Sequence, residues 1–128
     1  MKKRMISFTF NGKKVKFEIN VVPWWFEGIG LMFSKRNRAR ALLFSFDKPT
    51  KMAIHSFFVF YDFFAIWLDD EGKVIEIKRV KPFQFNILPS RKFVKLIEVP
   101  INGFYDEVLQ ILDGKGFAYK LYSPLIIT

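Results

Sequence analysis

Hydrophobic and polar positions alternate most regularly at the start of the chain. Ile6, Phe8 and Phe10 are separated by polar residues, and Val15, Phe17, Ile19 and Val21 share a face opposite Lys14, Lys16, Glu18 and Asn20. A period of two marks a half-solvated strand. Asn11-Gly12 between the runs is a two-residue turn favouring positive φ, so the pattern predicts an antiparallel hairpin that Pro23 closes.

The pattern then changes. Trp24 to Phe33 is apolar but broken by Gly28 and Gly30, which predicts a short helical turn near residues 23–30 and a tight bend. Ala41 to Phe46 reads as a strand and Asp47-Lys48-Pro49-Thr50 as a turn. The centre of the chain is Met52 to Gly72, with two apolar runs, Ile54 to Tyr61 and Phe63 to Leu68, split by Asp62. Their aromatic and β-branched content predicts two consecutive buried strands. Lys73 to Val80 alternates again, and Phe93 to Val99 is a strand stopped by Pro100. Between them Lys81 to Lys92 is a loop with two prolines and an unusual load of Phe83, Phe85 and Ile87.

From Asn102 the apolar period lengthens. Asn102 suits an N-cap, Asp106 and Glu107 suit the first turn, and Phe104, Val108, Ile111 and Leu112 recur at helical spacing before Gly114. One C-terminal helix near 103–112 is predicted, with a last edge strand over Phe117 to Tyr122. There is no repeat or linker. The expected fold is mainly β: a single small barrel or sandwich-like domain over residues 1–128.

Composition sharpens this picture. The 128 residues are 51% hydrophobic and include 17 phenylalanines, so the expectation is that most Phe rings fill the core. No cysteine is present, which excludes disulfides, thiol nucleophiles and Cys-based metal sites. No apolar run reaches the ~20 residues of a membrane span. The start MKKRMISFTF lacks a continuous apolar stretch, so cytoplasmic residence is expected. The formal charge of +9 favours anionic partners, although Lys-rich strand edges that resist aggregation produce the same count.

A set of ordered motifs carries a resemblance. Gly30-Leu31-Met32-Phe33, Ala41-Leu42-Leu43-Phe44 and Ile54-His55-Ser56-Phe57-Phe58-Val59 come first. They are followed by Ile66-Trp67-Leu68-Asp69 with Gly72-Lys73-Val74, Lys81-Pro82-Phe83, and Ile97-Glu98-Val99-Pro100. Over roughly Trp24 to Gly114 the chain resembles the domain-of-unknown-function family 192, in the form whose central strand carries a His. The resemblance implies a small β-rich barrel or sandwich-like fold with short helical insertions, and no particular reaction. Where the family shows a Pro-hydrophobic-Asp step, this chain has Asp62-Phe63-Phe64, so the family's Asp position is Phe64 here and Asp62 stands two residues away.

Candidate chemistry is sparse. His55 is the only histidine, which excludes a His-based metal cluster. Its neighbour Ser56 would point to the opposite face of a strand, a poor nucleophile pair. Asp69, Asp70 and Glu71 read as a solvated turn rather than a cation cage. Glu98 has the opposite parity to Ile97 and Val99, which leaves it solvent-facing or paired with a cation, and it is the candidate for a buried acid. No metal and no cofactor is implied.

Three readings follow. The first is a non-enzymatic module for an anionic ligand or single-stranded nucleic acid, held by Lys35, Arg36, Arg38, Arg40, Lys81, Phe83, Arg91 and Lys92 if their loops share a side. The alternative for that loop is rings that plug the barrel end. The second reading is a small hydrolase-like enzyme using His55 with Glu98 or Asp62 in a cleft. The third is a homodimer that buries strand edges and Phe-rich loops.

Overall fold

The computed structural model describes residues 1–23 and 28–113. Six strands form one curled sheet: β1 (Lys2–Phe10), β2 (Lys13–Val21), β3 (Leu42–Thr50), β4 (Phe63–Leu68), β5 (Val74–Val80) and β6 (Phe93–Pro100). A 3₁₀ turn, Gly103–Tyr105, leads into α1 (Asp106–Asp113). The strand order is β1-β2-β3-β6-β4-β5, antiparallel throughout except where β2 and β3 run parallel. β1 curls round to approach β5, which makes the sheet a half-barrel.

The hairpin forms as its sequence dictates. Asn11 (φ 50) and Gly12 (φ 76) both take the left-handed conformation, the turn whose twist matches the flanking strands. The helix begins where the cap residue predicts. The side chain of Asn102 accepts from the Phe104 N–H at 3.1 Å and donates to the carbonyls of Arg36 at 2.7 Å and Ala39 at 2.9 Å. One buried amide therefore starts the helix and fastens the 36–39 loop to it.

Two apolar layers lie on opposite faces of the sheet. Inside the curl, Phe8, Phe17, Leu43, Phe64, Ile66, Ile97 and Val99 pack with Leu109 and Leu112 of α1. On the outer face Leu42, Phe44, Phe63, Trp67, Phe93 and Leu96 pack beneath Leu31, Ile54, Val59 and Tyr61. All six residues of β4 are buried because they alternate between these layers. Phe64, at the family's Asp position, belongs to the inner layer.

Several expectations are corrected. Ile54 to Tyr61 is not a strand; only Ile54 makes a bridge, to Ile87. Ser56 ends the ladder, since its hydroxyl donates to the Lys81 carbonyl at 2.6 Å and accepts from the Gln84 N–H at 2.8 Å. Its carbonyl accepts from the N–H groups of Val59 and Phe83. These bonds fold residues 56–59 into a turn, so His55 lies in a loop and not in a central strand. Residues 47–50 are not a turn: β3 runs through Pro49 to Thr50, with a register shift against β6 between Ser45 and Thr50 that accommodates the proline. Phe104 leaves the helix core and packs under the Arg40 guanidinium, 3.4 Å from the ring centroid. The first half of the helical turn near 23–30 and the edge strand over Phe117 to Tyr122 lie outside the described residues.

The phenylalanine expectation is also corrected. Phe8, Phe17, Phe44, Phe63, Phe64 and Phe93 are buried, but Phe33, Phe57, Phe58, Phe60, Phe83, Phe85 and Phe104 are exposed. A sheet this small has two layers to fill, and short strands present only a few inward positions.

Asn102→Ala is expected to destabilise the fold by about 2–4 kcal/mol, because it orphans two loop carbonyls and removes the cap. Urea unfolding of the variant against the parent chain measures the loss.

Candidate binding site

The covering loops create two features: a cavity beneath them and a ring-studded surface above. The cavity, about 200 Å³, is lined by Ile29, Leu31, Phe44, Phe46, Met52, Phe63 and Leu96, with His55 and Glu98 as its titratable groups among the described residues. Glu98 follows Leu96 at the same parity on β6, so strand alternation aims it into the outer layer. Only 5% of the residue is exposed. It makes none of the ion pairs found among the described residues, and burial pushes its carboxyl up to about 8. Of the expectations for this residue, it is the buried acid; it does not face solvent, and among the described residues it pairs with no cation. Gly30 (φ 53) packs against it so closely that a Cβ there would stand 3.2 Å from Oε1. Tyr61, packed in the same outer layer, bonds the Ser34 hydroxyl through its own hydroxyl. Its acidity is weakened first by burial and in part by the nearby Glu98, while the Ser34 bond acts the other way.

The structure therefore brings His55 and Glu98 to one cavity. It does not bring Asp62 there: that carboxylate accepts from Arg79 Nε at 2.9 Å on the far side of Tyr61, beside Arg36 and Phe60. The Nδ1 of His55 accepts from the Phe57 N–H at 3.2 Å.

The surface carries a chain of aromatic contacts. Phe60 and Phe83 are 5.3 Å apart between centroids, Phe83 and Phe58 6.0 Å, and Phe58 and Phe33 5.1 Å. A second set runs from Phe85 to Phe57 at 6.0 Å and on to His55 at 5.4 Å. These rings do not plug a barrel end: Phe33, Phe60 and Phe85 are 67%, 63% and 71% exposed. Phe33 (φ 62), Phe58 (φ 58) and Phe83 (φ 58) all hold the left-handed backbone conformation that bulky side chains avoid. A backbone bond from the Phe33 N–H to the Phe58 carbonyl, at 2.9 Å, ties the two loops together.

The cations are divided by this arrangement. Arg36, Arg79 and Phe60 line one surface notch, with Arg36 Nε donating to the Ile101 carbonyl. Lys35 and Arg38 sit on the turn that contains Arg36, and Lys81 immediately precedes Pro82-Phe83. Arg40 instead stacks on Phe104, beside Lys3 and Lys16. Arg91 and Lys92 precede β6, whereas Arg36 meets Ile101 just beyond its other end. Eight strand residues at about 3.3 Å each separate them by roughly 25 Å. Sequence reasoning missed Phe33, Phe58 and Phe60 as surface groups, and Arg79 beside them. The charge pattern named neighbouring cations, but an apolar run gives no sign of which rings turn outward.

The chain matches DUF192, the family described as uncharacterized ACR, over residues 6–114. The chain belongs to that family. None of the curated proteins matches it. Two crystal structures share the DUF192 chain's fold. One is a protein of unknown function from Novosphingobium aromaticivorans, at TM-score 0.65 and 14% identity over 83% of this chain and 78% of that one. The other is a putative transcription regulator from Sinorhizobium meliloti, at TM-score 0.65 and 16% identity over 77% of this chain and 79% of that one. Among the described residues no helix of this DUF192 protein is long and apolar enough to cross a membrane.

The buried acid makes stability depend on pH. The folded protein holds the Glu98 proton up to about 8, while the unfolded chain releases it near 4.5. Its contribution is therefore fully present below pH 4.5 and is lost as pH rises through 8. Urea midpoints measured across that window are expected to fall for the parent and to fall less for Glu98→Gln.

Proposed function

We propose that this protein is a non-enzymatic binding module of the cytoplasm whose basic, ring-bearing loop face takes single-stranded nucleic acid. The observation that carries this reading is the position of Phe60. It stands with Arg36 and Arg79 in one notch and begins a run of exposed rings through Phe83 and Phe58 to Phe33. Single-stranded chains are held in this way, phosphates by cations and bases by aromatic faces, each stack contributing about 1–3 kcal/mol. Arg36 and Arg79 each use Nε within the protein, and among the described residues their terminal nitrogens make no hydrogen bond, which suits them to an anion. The net charge of +9 supplies long-range attraction for a polyanion.

Backbone strain supports the same reading. Three phenylalanines in left-handed conformations cost of order 1–3 kcal/mol each, and such strain collects where a surface is shaped for use. The hydrolase-like alternative has His55 and Glu98 on one cavity, but among the described residues no hydrogen bond joins them, and Asp62 is held by Arg79 instead. Ser56 is fully buried and its hydroxyl is engaged with Lys81 and Gln84.

Anisotropy of a short labelled oligothymidylate tests the proposal. Affinity is expected to fall with salt, with Phe60→Ala and Phe83→Ala each weakening it by about 1–3 kcal/mol. Arg79→Ala should reduce the salt slope by about 0.7. Absence of binding at low salt sinks the reading, and a dimer in sedimentation that buries these rings would favour self-association instead.

A further inference from the structure

The cavity under the covering loops is separate from that face, and nothing assigned so far uses it. It is apolar on nearly every side, yet one carboxyl points into it. A buried charge is ordinarily paired, and among the described residues Glu98 makes no ion pair. Among the described residues no Lys or Arg lines the cavity. Among the described residues the other titratable groups near Glu98 are His55, on the same cavity lining, and Tyr61, whose acidity Glu98 weakens. Tyr61 is already bonded to Ser34, and Gly30 leaves the carboxyl uncovered by any side chain at that position.

We infer that this cavity is a binding site for a small primary ammonium compound with an apolar body, its cation held by the Glu98 carboxylate. The size fits: an apolar cavity of about 150 Å³ holds benzene, and this one, at about 200 Å³, has room for such a ring plus an aminomethyl group. Ile29, Phe44, Phe46, Met52 and Leu96 would surround the body. The ammonium would supply a counter-charge that none of the described residues gives, and a charge-assisted bond in an apolar site is the strong kind.

Unliganded Glu98 carries a proton below about pH 8. An ammonium that enters replaces that proton as the counter-charge, so the carboxyl ionises and one proton passes to solvent. Binding should therefore strengthen with pH, approaching tenfold per unit, and level off above 8.

Calorimetry with benzylamine, benzyl alcohol and benzoate on the full chain tests it, each titration run at pH 6 to 8 in two buffers of different ionisation enthalpy. Benzylamine is expected to bind about ten- to a hundredfold more tightly than benzyl alcohol, with release of close to one proton at the acid end. Glu98→Gln, confirmed as folded by its urea transition, is expected to lose both the preference and the proton release. Equal binding of the alcohol, tighter binding of benzoate, no detectable binding of the amine, or proton release that persists in Glu98→Gln would each overturn the inference. None of these outcomes bears on oligonucleotide binding at the loop face.

Discussion

The rest of the structure depends on β4 and β6 being buried on both faces. Strand geometry sends alternate side chains to opposite sides. In β4 this puts Phe64, Ile66 and Leu68 under the curl and Phe63, Ala65 and Trp67 on the outside. The inner face is closed cheaply, by the hairpin bending round and by α1 docking across it. Among the described residues no helix covers the outer face. It is sealed by the loops between β2 and β3, between β3 and β4, and between β5 and β6, through Leu31, Ile54, Val59 and Ile87.

Sealing a sheet with loops has two consequences. Loops carry few regular contacts, so they satisfy their backbone groups through particular residues such as Ser56 and Asn102, each holding two or more partners. They also pack less completely than a helix, and the gap that remains lies over Glu98. The same turns that bring Ile54, Val59 and Tyr61 down onto the sheet must send the residues between them upward. Phe57, Phe58 and Phe60 are therefore exposed for the reason that Val59 and Tyr61 are buried. The cavity and the ring-bearing surface are two sides of one covering layer.

That layer gives a physical basis for separating the two proposed sites. The outer surface combines rings with the guanidinium groups of Arg36 and Arg79 in high dielectric, where attraction is long-ranged and salt-dependent. The cavity below combines apolar walls with one acid in low dielectric, where recognition is short-ranged and coupled to a proton. The Arg79–Asp62 pair is partly exposed and contributes little to stability by itself. Its role is to hold a guanidinium beside Phe60.

Local rules were legible in the residues themselves. The Asn11-Gly12 hairpin, the strands around Phe63 to Leu68, Lys73 to Val80 and Phe93 to Val99, and the Asn102 cap all follow from periodicity and turn chemistry, which act over a few residues. Membership of DUF192 was legible from the order of its motifs. The fate of Ile54 to Tyr61 was not, because an apolar aromatic run suits a buried strand and a covering loop equally well. Which it becomes depends on Ser56 meeting the 81–84 turn, a contact between residues about 25 positions apart. Glu98 shows the same division. Its parity against Ile97 and Val99 told which way it points, but only the assembled sheet and its loop cover decided that this direction holds an apolar cavity rather than water, because burial is a property of what other segments place there.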